Sequence, residues 1–245
     1  MNYLRGILFN LMYAISVVIF TPPALIISSF IGYPRRLQFL TLLPRAIQRL
    51  LVLTCGITFR IEGQENIPKG PFVLISNHQS TWETFVLSYL FSPISAVLKK
   101  ELTYIPFFGW LLYLGKPIII DRKRRQNAVK EILRQGQALL AQGVSVIIFP
   151  EGTRVPVDEQ RGHFPGGAML ACKSGVPVVP IVHNAGAYWP AHKIEKYPGE
   201  ITIRVGAPID THGRTAKELN RELEHWMNTE KSKLIEDVKL STVEQ

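Results

Sequence analysis

The segment Asn77-His78-Gln79-Ser80-Thr81-Trp82-Glu83 sets an imidazole and a carboxylate five residues apart. Inside one helix that spacing would point them to different faces. With His78 in a loop and Thr81 near a helix N-terminus, Glu83 in the first turn points back toward the ring. A carboxylate on one ring nitrogen fixes the tautomer and raises basicity, so the other nitrogen can take a proton from an attacking hydroxyl. No covalent nucleophile is needed when the acyl donor is already activated. Gly-x-Ser-x-Gly is absent, and Ser76 and Ser80 lack its strand-turn context, which disfavours a serine acyl-enzyme. No metal site is expected: His78 and Glu83 do not form the i, i+4 zinc pair, and His163, His183, His192, His212 and His225 form no ligand-spaced cluster.

A second set of residues suits a phosphate. Phe149-Pro150-Glu151-Gly152-Thr153-Arg154 directly follows the apolar run Val144 to Ile148. Gly152 lets backbone amides approach a ligand, the Thr153 hydroxyl can donate to an oxyanion, and Arg154 offers a planar fork. Arg122, after Ile118-Ile119-Ile120-Asp121, supplies another cation, and Lys99 stands beside an apolar helical stretch at Pro106 to Trp110. A nucleotide-binding P-loop is excluded, because Gly-x4-Gly-Lys-Ser/Thr does not occur. Cys55 and Cys172 sit in apolar surroundings and read as reduced core thiols.

Positioning these groups requires strands that end beside them. Short apolar runs at Ile57 to Ile61, Phe72 to Ser76, Ser95 to Leu98, Lys116 to Ile120, Ser145 to Phe149, Val178 to Val182 and Ile201 to Val205 read as strands, several of them buried on both faces. Helical patterns lie between them at Thr81 to Leu90, Ile105 to Leu114, Arg125 to Gln142 and Gly166 to Lys173, and a last one runs from Thr215 to about Lys239. The pattern predicts an α/β fold with a mostly parallel central sheet flanked by helices. Ligands in such sheets sit beyond the carboxyl ends of strands, where the clusters at 77–80, 121–122 and 150–154 would converge.

The N-terminal quarter differs. Of the +9 net charge over 245 residues, +6 comes from Arg5, Arg35, Arg36, Arg45, Arg49 and Arg60, with no acidic residue before Glu62. From Gly6 to Pro34 no side chain is charged, and Leu37 to Thr54 is apolar at helical spacing. Pro22-Pro23 is expected to break or kink the first helix, and Gly32-Tyr33-Pro34 to join two helices. The length allows either one span or a pair of helices sunk in one leaflet, and it is too long for the core of an ordinary cleaved signal peptide. Basic residues on acid-free apolar sequence suit an anionic membrane surface and not nucleic acid. Residues 1–56 are therefore expected to be apolar, basic membrane-associating helices, and 57–245 a catalytic αβ domain at the cytoplasmic face of the inner membrane.

Taken together, the blocks Asn77 to Glu83, Gly115 to Arg122, Phe149 to Arg154 and Val176-Pro177-Val178-Val179-Pro180 resemble, in order, the four blocks of the glycerolipid acyltransferases. Within that family they look most like the bacterial 1-acyl-sn-glycerol-3-phosphate acyltransferases. The resemblance implies a glycerol-phosphate acyltransferase-like fold with an N-terminal two-helix element. It also implies acyl transfer from acyl-CoA or acyl carrier protein to the sn-2 hydroxyl of lysophosphatidate, with no cofactor. His78 would be the general base and Glu83 its orienting group. Lys99, Arg122, Gly152, Thr153 and Arg154 would hold the acceptor phosphate, and Glu151 would contact the glycerol part. The family usually has Asp where this chain has Glu83, one methylene longer. Two alternatives stay open: the same chemistry on glycerol 3-phosphate, a lysophospholipid or an amino-acid lipid, and a non-catalytic membrane adaptor.

Overall fold

The computed structural model describes residues 1–121 and 125–243, so Arg122 lies outside the described residues. Among the described residues, seven strands form one sheet: β1 (Ile57–Glu62), β2 (Val73–Ser76), β3 (Ile94–Lys99), β4 (Ile118–Ile120), β5 (Ser145–Ile148), β6 (Val178–His183) and β7 (Gly199–Val205), in the order β1-β7-β6-β2-β5-β3-β4. Only β6 and β7 pair antiparallel; every other neighbouring pair is parallel. The mostly parallel sheet is thus present. Strands β6, β2, β5, β3 and β4 share a direction, so their carboxyl ends lie along one edge.

Helices follow at α1 (Asn2–Ser28), α2 (Tyr33–Leu40), α3 (Leu42–Cys55), α4 (Trp82–Leu90), α5 (Phe108–Leu114), α6 (Arg125–Ala141), α7 (Gly166–Ser174), α8 (Ala185–Tyr188) and α9 (Ala216–Val243). Alternation along the strands divides the core in two. Val73, Ile75, Val146, Ile148, Val178 and Val182 face α6, α7 and α9, whereas Leu74, Ile147, Val179 and Ile181 face α3 and α4. Each fully buried Val, Leu or Ile contributes about 1.5–3 kcal/mol, so two covered faces hold the sheet edge and its polar loops firmly in place.

The N-terminal element departs from the expected pair of helices. α1 runs unbroken for 27 residues through Pro22 and Pro23, and the second helix is divided at Thr41 into α2 and α3. Two prolines remove two N–H donors, a loss that neighbouring helices and hydroxyl side chains can offset. Packing supplies part of that offset: the flanking Val17 and Ala24 are buried with Leu111 of α5. The joint lies at Ser29 to Gly32, so Gly32 falls in it as expected, whereas Tyr33 and Pro34 form the first turn of α2 and not the joint.

Candidate active site

The chain leaves β2 at Ser76 and enters α4 at Trp82, and the five residues between them carry the site. Ser80-Thr81-Trp82-Glu83 is a capping-box sequence, in which a serine and a glutamate satisfy free helix-end amides reciprocally. The Ser80 hydroxyl accepts from the Trp82 amide at 3.2 Å, and Glu83 Oε1 accepts from the amides of Ser80 at 2.8 Å and Gln79 at 2.9 Å. The same oxygen lies 2.7 Å from His78 Nδ1. Glu83 therefore reaches the imidazole while capping its own helix, and the extra methylene relative to aspartate is fully accommodated.

Glu83 has no exposed surface. Burial opposes its charge, but nearby His183, the His78 hydrogen bond and the Ser80 amide outweigh burial and hold the carboxyl below its usual range. An ionised Glu83 accepts a hydrogen bond from Nδ1–H of His78, which leaves the Nε2 lone pair free to act as a base. The ring is further fixed by stacking on Phe149, centroid to centroid 4.3 Å at 21°.

Two backbone links bind this loop to the one after β5. The His78 amide donates to Glu151 Oε2 at 2.7 Å, and the Val155 amide donates to the His78 carbonyl at 2.8 Å. The turn between them closes through Gly152 N–H to Phe149 O at 3.1 Å, with Gly152 at φ +72°, where a side chain would be strained. Glu151 is buried under the His78 loop, and burial lifts its carboxyl to about 7 despite the His78 amide and Lys231.

A cavity of about 580 Å³ opens beside His78. Its ionisable lining groups are Tyr13, His78, Lys99 and Arg154; the rest is dominated by apolar side chains of α1, α2, α3 and α5 and the residues before α5. The size is that of a small-molecule site. The structure thus brings His78, Lys99 and Arg154 to one cavity, with Gly152 and Thr153 half-buried just before Arg154. Lys99 also pairs with Glu101 at 3.2 Å.

Several supporting residues have no local sequence signal. Asn77 Nδ2 donates to the His183 carbonyl at 2.9 Å and Asn77 Oδ1 accepts the His183 amide at 3.0 Å, clamping the ends of β2 and β6 together. His183 is fully buried, and burial holds its imidazole below the usual range. It donates from Nε2 to the Asn77 carbonyl at 2.9 Å and accepts the Ala185 amide on Nδ1 at 3.3 Å. Trp82 donates from Nε1 to Gln48 Oε1 at 2.8 Å, joining α4 to α3. The signal that would have found His183 is its place at the end of a parallel strand, the rule that located the other clusters.

The acyltransferase family model matches residues 58–184. The chain is 42% identical to the 1-acyl-sn-glycerol-3-phosphate acyltransferase of Pseudomonas aeruginosa over 92% of this chain and 89% of that one. It is 31% identical to the 1-acyl-sn-glycerol-3-phosphate acyltransferase of Saccharomyces cerevisiae over 78% of this chain and 64% of the other. Its fold matches the crystal structure of the 1-acyl-sn-glycerophosphate (LPA) acyltransferase from Thermotoga maritima with a TM-score of 0.79 at 24% identity, over 95% of each chain.

Proposed function

The chain belongs to the acyltransferase family, and from that premise we propose that it acylates the sn-2 hydroxyl of 1-acyl-sn-glycerol 3-phosphate from an acyl thioester, forming phosphatidate for phospholipid synthesis. The observation that carries the reading is the cavity itself, in which the Glu83-oriented His78 faces an apolar space together with Lys99 and Arg154. A substrate with a long acyl chain and a phosphate head has both features.

In the proposed reaction the acceptor hydroxyl attacks the thioester carbonyl as His78 Nε2 removes its proton. The new C–O bond forms, the C–S bond breaks, and the imidazolium returns the proton to the departing thiolate. Glu83 stabilises the imidazolium that appears on the way. Arg154, Lys99 and the Gly152-Thr153 turn hold the phosphate, with Arg122 assigned the same role from the sequence. Orienting the hydroxyl in this way is worth several powers of ten in rate. For Glu151 we assign a positioning role through the His78 amide, ahead of direct contact with glycerol. The thioester brings its own activation, so no cofactor or metal enters the scheme. Donors of both kinds, acyl-CoA and acyl carrier protein, fit this chemistry. α1 to α3, with their acid-free apolar sequence and Arg35-Arg36, would hold the enzyme at the cytoplasmic face of an anionic membrane.

The test is a donor and acceptor panel on the membrane-bound protein. Free thiol should appear in step with phosphatidate when lysophosphatidate is added to an acyl thioester. Thiol release that is indifferent to the acceptor, or faster acylation of glycerol 3-phosphate or a lysophospholipid, would overturn the substrate assignment.

A further inference from the structure

The segment between β3 and β4 buries one side and leaves large rings on the other. Gly109 and Leu111 of α5 turn inward, and Phe107, Phe108 and Leu114 pack with Val17, Phe20 and Ala24 of α1. Trp110 and Tyr113, three residues apart and so on one face of α5, are 48% and 66% exposed, and Tyr104 just before the helix is 67% exposed. Three exposed rings so close together are uncommon on a water-facing surface. Trp and Tyr are the side chains that prefer the boundary between lipid and water, because each joins an apolar ring to a polar atom.

The surroundings favour lipid. α5 packs against α1, whose outer side exposes Leu8, Leu11, Ile15, Ile19 and Ile26 with no charge between Gly6 and the helix end. The rings are flanked by Lys100 and Lys116, while Glu101, the one acidic residue within 99–116, is offset by the cavity-lining Lys99 at 3.2 Å. Cations beside exposed apolar rings match anionic head groups.

We propose that the 104–113 segment is a second membrane-contacting surface, seated in the head-group layer of an anionic leaflet beside α1. Ile105, Pro106, Phe107 and Phe108 of the same segment line the active-site cavity, so this contact sets the cavity wall against the lipid pool. A lipid acceptor would then enter from the leaflet without crossing water. The entry route rests on the acyltransferase reading, whereas the surface does not.

The experiment uses the full-length protein in vesicles of phosphatidylethanolamine and phosphatidylglycerol with brominated acyl chains, which quench indole fluorescence on contact. Trp82 and Trp189 are buried, and Trp226 packs near Gly206 on the far face of the sheet, so Trp110 should supply most of the quenching. Trp110→Phe should remove roughly half of it or more. Unchanged quenching overturns the proposal. In parallel, the triple variant Tyr104→Ser, Trp110→Ser, Tyr113→Ser should lose about tenfold in rate on vesicle-embedded lysophosphatidate. It should keep wild-type rate on a short-chain, monomeric lysophosphatidate. Equal loss on both acceptors overturns the entry role. Trp110-dependent quenching in a protein that acylates no acceptor supports the surface and sinks the acyltransferase reading instead.

Discussion

Glu83 and Glu151 sit on either side of the His78 peptide and are pushed in opposite directions. Glu83, held below its usual range, contributes stability above the unfolded value that is lost on acidification. Glu151 is lifted from 4.5 to about 7, so its contribution is complete below pH 4.5 and is lost as pH rises toward 7. A shift of that size corresponds to roughly 3 kcal/mol. Glu151→Gln keeps an acceptor for the His78 amide and removes the titration. Relative to wild type, its urea-unfolding free energy should rise between pH 5 and pH 8 by up to ~3 kcal/mol; parallel curves for the two proteins would show that Glu151 does not titrate there. The reach of Glu83 to His78 was legible in the sequence, from a loop histidine and a first-turn carboxylate. The engagement of Glu151 by the His78 amide was not, because it joins residues 73 positions apart.

At the scale of elements, the seven strands and the helices α4 to α7 and α9 follow from runs and periodicities, since each run is buried on faces that match its period. Three features escaped, one of them the division of the second helix at Thr41. The short α8 has no periodic pattern of its own and follows directly on the end of β6. The unbroken α1 depends on packing that no local rule about Pro22-Pro23 contains. At the other end of α1 the packing is close: a Cβ on Gly6 would stand 2.0 Å from the Ile194 carbonyl oxygen. Nearby, the buried Lys196 donates to Asn10 Oδ1 at 3.1 Å and lies over the rings of Phe9 and Trp189 at 5.1 and 4.8 Å. Gly6→Ala should push α1 away from residues 194–196 at a cost of about 1–3 kcal/mol. Unfolding in detergent should show a lower midpoint and α1 should become more open to protease; an unaltered midpoint would mean that α1 is not docked in this way.

Viewed as a whole, the molecule divides its basic charge and its apolar surface between two tasks. The acid-free N-terminal helices and the rings near α5 expose the apolar surface that is proposed to meet lipid, while Lys99 and Arg154 stand with His78 on the cavity that these helices help to close. If that cavity receives the acyl chain, narrowing it should select against length. Ser88 of α4 lines it, and Ser88→Phe should lower rates with long-chain lysophosphatidate by about tenfold relative to short-chain lysophosphatidate; a uniform change across chain lengths would place the chain elsewhere. Removal of the acceptor proton by His78 is tested in the His78→Ala enzyme. Purified, folded and supplied with lysophosphatidate and an acyl thioester, it should form phosphatidate about 10²–10⁴-fold more slowly than wild type. A near wild-type rate from that variant would contradict the account.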